Sequence, residues 1–424
     1  LYIGGKVMAH TDIDMNTGVS SDGVSIDLDW TGSLESVTGS IALNPGAHGK
    51  IKGDIITSGT GSEITITAAD SLELKGRLSA DQRVTIIAGS QINPGYEDIR
   101  TYGTSRIDVT GTAGEIILHS VNDIMINSQI GMLSSDLNTI SLTAQSGGVE
   151  LIKESGWLQS GQQVVIAGGG ADIQGVIKTA GSTIDVDDFE IDINTTGPVL
   201  VKSDFETAGS IRVKGSDVHI ANAELESTGA DSKIVINAAG DLTFGDRGVA
   251  YGRDDLPDGQ LFQEGALVSS GKYLDIDATG LIEIGSAVQL MTSSQYSVIT
   301  VDGGGDLSVV GSLYAGGELN EDGTVAWVGE GSDLHVNVVG RIVFGGIGVN
   351  DQGHEITRGG SMQARDDLTI QGQSLDMSHL SFIRPESADD SNVANLFITT
   401  TEDIGIYVYT HSTGPGADST PHIS

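Results

Sequence analysis

The chain has 424 residues, with 21 lysines and arginines against 58 aspartates and glutamates, a formal net charge of −37. That charge repels phosphate backbones and anionic bilayers and argues against a nucleic-acid or membrane-surface binder. It contains no cysteine, which excludes disulfide staples, catalytic thiols and thiolate metal sites, and no apolar run reaches the roughly 18 residues that a membrane-spanning helix needs.

Residues 1–60 are the least regular part. Val24–Leu28, Ile41–Leu43 and Ile55–Ile56 have the alternation of short strands, whereas Trp30 and the Asn44-Pro45-Gly46 turn suit either an N-terminal cap or rungs with different corners. The chain opens on Leu1 without an initiating methionine or a charged-then-apolar leader, and it reads as a segment of something longer.

From residue 61 onward a unit repeats. Thirteen aliphatic i,i+2 pairs define its first position: Ile64/Ile66, Val84/Ile86, Ile107/Val109, Ile140/Leu142, Val164/Ile166, Ile184/Val186, Ile211/Val213, Ile234/Ile236, Leu274/Ile276, Ile299/Val301, Leu334/Val336, Leu368/Ile370 and Leu396/Ile398. A second apolar position follows after about seven to nine residues, as at Leu72, Ile92, Ile116, Ile191 and Leu242. A looser third one falls at Leu78, Leu158, Phe205, Val268, Val328 and Met362. Alternation with period two places successive side chains on opposite faces of a strand. A fixed step between strands, with variable length only beyond them, makes each unit a rung stacked on the last.

The fold expected is therefore all-β, a right-handed parallel β-helix of about 14 rungs over 61–410, forming one elongated domain, with 411–424 as a linker or tail. The aliphatic pairs should stack inside, leaving Thr65, Thr85, Asp108, Asp185 and Asp275 outward. A sandwich or propeller is disfavoured by the constant strand-to-strand step and by the lack of two-residue Asn-Gly hairpins. Glycine, 60 of 424 residues, is about twice the usual share. Gly76, Gly89, Gly181, Gly209, Gly271 and Gly340 fall between strand positions, where a positive φ is cheap without a Cβ.

Beyond residue 244 the rungs lengthen through insertions at about 245–266, 314–331, 345–361 and 381–395. Each reads as leaving one corner, beyond the second strand, so that together they form a ridge on one side. The candidate partner-binding residues lie there: Tyr251, Arg253, Tyr314, Trp327, His354 and Arg384. Aromatic side chains with a few cations on an acidic surface are the chemistry of a recognition patch, insertions at a corner being free of packing duty; anchoring each loop to the rod is the equal alternative.

Metal and catalytic readings are weaker. Asp185 and Asp187, with Asp188 beside them, stand where two carboxylates could share a cation, but a solvated acidic face is the favoured reading. Gly168-Gly-Gly-Ala-Asp172 and Asp302-Gly-Gly-Gly-Asp306 have the glycine-aspartate character of calcium turns, but each is solitary. No catalytic, metal or cofactor site is assigned, with calcium left as the open case. An enzyme of the polysaccharide-cleaving kind would need acids, bases and sugar platforms converging on one face. The nine histidines are scattered singly, His219 and His335 on outward strand positions, aromatics are 4% of the chain, and the Gly-His-Gly signature of polygalacturonases is missing.

Leu78-Ser-Ala-Asp-Gln-Arg-Val-Thr-Ile-Ile-Ala88-Gly89 and Ile234-Val-Ile-Asn-Ala-Ala-Gly-Asp-Leu-Thr-Phe244 resemble the rungs of filamentous haemagglutinin-type adhesins, the large exoproteins that Gram-negative bacteria export by two-partner secretion. Ala239-Gly240-Asp241-Leu242 is the closest match to that degenerate motif. The rung lengths, the acidity and the insertions depart from it. The resemblance implies a right-handed helix of three short sheets, an extracellular or cell-surface location, no catalysis, and a role in adhesion or biofilm. The partners it implies are other regions of a longer chain, neighbouring copies, or a host or matrix glycan or protein. The alternatives are a self-assembling filament or sheath protein and, behind it, a polysaccharide lyase or hydrolase.

Overall fold

A computed structural model describes the chain apart from residues 19–23, 90–96, 132–137, 154, 181–187, 246–264, 320–324, 328–329, 350–354, 378–380, 386–394, 403 and 407–424. The described residues form strands and no helix. The chain is an all-β parallel β-helix, which separates into two compact units, Leu1–Val218 with Asn222–Asn237, and His219–Ala221 with Ala238–Ser424.

In the first unit each turn of the chain lays one strand in each of three lanes, and every strand pairs in parallel with its counterpart one turn earlier. Lane one runs through Ile41–Asn44, Glu63–Ala68, Arg83–Ala88, Glu115–Ser120, the first part of Thr139–Leu151, the first part of Gln163–Ile173, Ile191–Thr195 and Ile211–Gly215. Lane two includes Val24–Leu28, His48–Ile51, Leu72–Leu74, Glu97–Thr101 and Asp123–Ile126. Lane three has ten strands among the described residues, from Lys6–Ala9 to Ala223–Ser227. The described residues of 1–57 are ordinary rungs of these lanes: Lys6–Ala9, Ser33–Ser36 and Asp54–Thr57 stack in order beneath Arg77–Ala80.

The second unit repeats the plan with five lane-three strands among the described residues: Ala266–Ser270, Val288–Thr292, Ser312–Ala315, Ser361–Ala364 and Phe382–Pro385. Its lane one is Tyr273–Ala278, Val298–Gly303, Asp333–Val338, Leu368–Gly372 and Leu396–Thr400. Its lane two includes Leu242–Phe244, Ile282–Ile284, Leu307–Val309, Ile342–Phe344 and Leu375–Met377.

Ile64 stacks between Ile41 and Val84, and Ile66 between Leu43 and Ile86, all fully buried. Each such side chain contributes about 1.5–3 kcal/mol of burial, and a register slip of one residue would turn the whole ladder outward. One of the thirteen expected pairs is not in lane one, and another cannot be placed among the described residues. Ile107/Val109 belongs to lane three, where Ile107 pairs with Leu78 and Ile130, and its place in lane one is taken by Ile116/Leu118. Ile184/Val186 and Ile92 lie outside the described residues. Ile191/Ile193 stacks between Val164/Ile166 and Ile211/Val213, and Ile99 pairs with Leu72. The physical reason is that aliphatic pairs in adjacent lanes of one turn are locally identical; only the neighbouring turns tell them apart. Val328 also lies outside the described residues, and Leu313 precedes Met362 in lane three. Leu396 holds its register on Leu368 but is exposed, since no further turn among the described residues covers it.

The looseness of the third lane has a cause. Its second inward position is a buried hydroxyl in many turns, Ser36, Thr57, Ser160, Thr179, Thr207, Ser227, Ser270 and Thr292, and these bond to one another or to the next corner, as in Thr179 to Thr207 (2.6 Å) and Thr292 to Ser297 (2.8 Å). Glu190, 3% exposed, joins this row: its Oε2 accepts from Thr179 Oγ1, Thr207 Oγ1 and the N–H of Gly209.

The corners explain both the aspartate and the glycine content. Asp12, Asp81, Asp98 and Asp123 in the first unit, and Asp241, Asp306, Asp333 and Asp367 in the second, each accept a backbone N–H from an adjacent turn at 2.7–3.2 Å. A carboxylate thereby replaces a ladder bond that the bend interrupts. Gly76 does not have the positive φ expected of it. A Cβ there would stand 1.9 Å from the carbonyl oxygen of Gly53, and one on Gly53 would stand 2.0 Å from that of Gly32. Stacked turns approach too closely at this corner for any side chain. Of the six glycines expected to need positive φ, Gly89 does so (φ 111); Gly181 lies outside the described residues. Asp108 is also corrected: it faces outward in lane three yet is 1% exposed, its carboxylate held by Arg106 and Arg77.

Candidate functional site

The insertions do not leave from a single corner. The 245–266 and 345–361 segments connect lane two to lane three, as expected, and the second carries an antiparallel hairpin of Gly346–Val349 with Glu355–Arg358. By contrast, Ser312–Ala315 and Phe382–Pro385 are themselves lane-three strands. The 316–331 and 386–394 segments therefore lie between lane three and lane one. In the first of these stretches Val328 has the spacing of a third apolar position, but the strand is formed by the Leu313/Ala315 alternation, with Tyr314 outward.

Of the six candidate residues, Tyr251, Arg253 and His354 lie outside the described residues, as do Asp185 and Asp187. Tyr314 is an outward residue of lane three, in one column with Met291, Gln363 and Arg384. Trp327 ends a two-stranded antiparallel hairpin, Gly317–Leu319 with Val325–Trp327, that turns off the lane at Gly316 (φ 81). The first strand of the hairpin lies against Val288–Thr292, and Met291, although outward, is only 2% exposed. Trp327 meets Tyr314 edge-on, with centroids 6.2 Å apart and planes at 79°, a geometry that suits the ring quadrupoles.

The third member of this group carried no signal in the sequence. The Arg365 guanidinium lies 5.8 Å from the Trp327 ring centroid, in cation–π range, and it makes no ion pair among the described residues; its Nε is buried without a hydrogen-bond partner. Among the described residues this arginine meets an aromatic face rather than a carboxylate, on a chain with 58 acidic residues. Arg384, exposed at the far end of the Tyr314 column, is not brought to Trp327.

The calcium-type stretches resolve into other roles. Gly168–Asp172 is no turn but the bend of the continuous strand Gln163–Ile173, and Asp172 accepts from Gln174 Nε2. Asp302 lies in a strand and accepts from Asn337 Nδ2 (3.1 Å), while Asp306 caps the N–H of Arg341. No group of three metal-ligating side chains occurs among the described residues. His219, expected to face solvent, has its Nε2 buried without a hydrogen-bond partner.

Burial, with Asp302 and Asp277 nearby, raises the Asp275 carboxyl above the usual carboxylate range. The folded state thus binds a proton that the unfolded chain has released, so stability falls as pH rises from the ordinary carboxylate value through the raised one. Asp275→Asn is expected to raise thermal stability at neutral pH by less than about 1 kcal/mol, the group being half-exposed and screened. The gain should vanish below the ordinary carboxylate range. Melting curves across pH check this, and a gain that persists unchanged in acid would contradict it.

Comparison with protein-family models, with curated proteins and with solved structures gave no match.

Proposed function

We propose that this chain is a non-enzymatic segment of an extracellular, cell-surface or secreted exoprotein, a β-helical stalk that mediates attachment through side chains carried on its insertions. The observation that supports the reading is the Gly317–Trp327 hairpin. It is inserted between lanes without disturbing the register on either side, since Ser312–Ala315 still pairs residue for residue with Ser361–Ala364, and Val298–Gly303 with Asp333–Val338. The register thus carries on past the hairpin, which lies against the strand of Met291 and brings an aromatic ring beside Arg365 at an outer corner. An insertion that leaves the register of the strands around it intact can carry recognition side chains.

The test is adhesion. Beads coated with the whole chain are expected to attach to cells or to extracellular matrix, and Trp327→Ala is expected to reduce attachment while leaving the melting temperature within a degree or two, as for surface changes generally. Attachment unaffected by Trp327→Ala would overturn the role given to the hairpin. Fibres of the purified chain in negative-stain microscopy would replace the stalk reading with a self-assembling filament.

A further inference from the structure

In the first unit the outer faces of lanes one and two differ in charge over the same six turns. The central outward side chains of lane two are Lys50, Glu73, Arg100, Met125, Glu150 and Asp172 in order. Only Met125 among them is uncharged. The lane-one strands of those turns, from Ile41–Asn44 to Gln163–Ile173, each point two central side chains outward, and none of these is Asp, Glu, Lys or Arg. The first column runs Ala42, Thr65, Thr85, Ile117, Ser141 and Val165. The second stands two residues further along each strand and includes Ile87, 39% exposed.

The field has definite borders. Asp14 in the turn before Ala42 and Asp192 in the turn after Val165 close its two ends. Along one edge Arg83 is ion-paired with both Glu63 and Glu115, which partly neutralises that border. None of the side chains in the two columns is buried, unlike Asp108 on the outside of lane three, so among the described residues nothing lies over this face. Six turns of strands about five residues long measure roughly 29 Å by 16 Å at the usual spacing and rise. On a chain with 58 acidic residues, that is a broad sheet surface without a carboxylate, ammonium or guanidinium at its centre.

We propose that this face is where two copies of the chain pair, sheet against sheet. Chains of net charge −37 repel one another wherever charged surface meets charged surface, and these six turns let two of them approach through hydroxyl and methyl groups instead. A basic partner would be drawn to the acidic surface elsewhere. Threonine, isoleucine and valine repeat at the step of the turns on both copies, and sheet faces of that kind pack about 10 Å apart. Because each copy contributes the same patch, the contact closes at two and gives a pair rather than a fibre. The field covers roughly 450 Å² on each copy by the same spacing. Two such fields total about 900 Å², at the lower limit for a specific interface, so the pair is weak and depends on concentration. The hairpin of the second unit takes no part, and the pairing stands apart from the attachment reading.

Sedimentation equilibrium of the whole chain over a range of about 5 to 500 µM, which brackets a weak interface, tests it at low and at high salt. A monomer–dimer equilibrium is expected, and it should tighten as salt screens the repulsion between the two acidic chains. Ile117→Glu and Thr85→Glu place a carboxylate in the middle of the face, and each is expected to weaken pairing about tenfold or more through like-charge repulsion. Met125→Glu adds the same charge to lane two and should leave pairing unchanged. Far-ultraviolet circular dichroism and melting curves identify the folded variants, and either glutamate variant of the face suffices. A monomer at every concentration, equal weakening by I117E and M125E, association that loosens with salt, or growth beyond two copies overturns the proposal.

Discussion

Gly76→Val is expected to destabilise the first unit by about 3 kcal/mol or more, beyond the usual range for overpacking. The Cβ would stand 1.9 Å from the carbonyl of Gly53, well inside contact distance. Neither partner is a flexible side chain that can step aside. The N–H of Gly76 is bonded to the carbonyl of Ile51 at 3.1 Å, and Arg77–Ala80, the strand that follows, is paired in lane three with strands of the turns on both sides. Relief therefore requires prying two turns apart. Gly5→Val is the control: nothing lies within 4 Å of a Cβ at Gly5, and its cost should stay within about 0.5 kcal/mol. Urea unfolding followed by circular dichroism compares them, and equal midpoints for the two variants would show that the corner relaxes freely.

Phe205→Ala is expected to cost about 3–5 kcal/mol. Phe205 is fully buried in lane three, between Ile177 of one neighbouring turn and Leu225 of the other. The two flanking aliphatic side chains are pinned by their own ladders, so the void cannot collapse. Because turns of a solenoid contact only their neighbours, the loss should be local as well as large. Hydrogen exchange is expected to accelerate in Val176–Thr179, Phe205–Thr207 and Ala223–Ser227 while Glu63–Ala68 keeps its protection. A uniform acceleration across the unit would mean that it unfolds as one cooperative block.

Both expectations concern features of different legibility. Phe205 was readable as a third apolar position from its spacing alone. The role of Gly76 was not, because the oxygen that forbids its Cβ belongs to the preceding turn. The same division holds at the hairpin of the second unit. Tyr314 and Trp327 could be picked out as scarce aromatics in a lengthened stretch, but Arg365 acquires meaning only when stacking sets it beside Trp327.

The amino-acid sequence by itself determined that this chain is a stack of short strands with Ile, Val and Leu inward. Period-two alternation is a local property, and a strand such as Glu63–Ala68 has its buried face written in Ile64 and Ile66 whatever surrounds it. Tertiary structure alone decided which lane each strand joined. Ile107/Val109 and Ile116/Leu118 are interchangeable as patterns, and only pairing with Leu78 on one side and with Val84 on the other separates them. It also decided which corner each insertion leaves from, why Asp98 and Asp306 are structural rather than solvated, and which side chains of distant segments meet, since each of these depends on what lies one turn away along the stack rather than on neighbours in the chain.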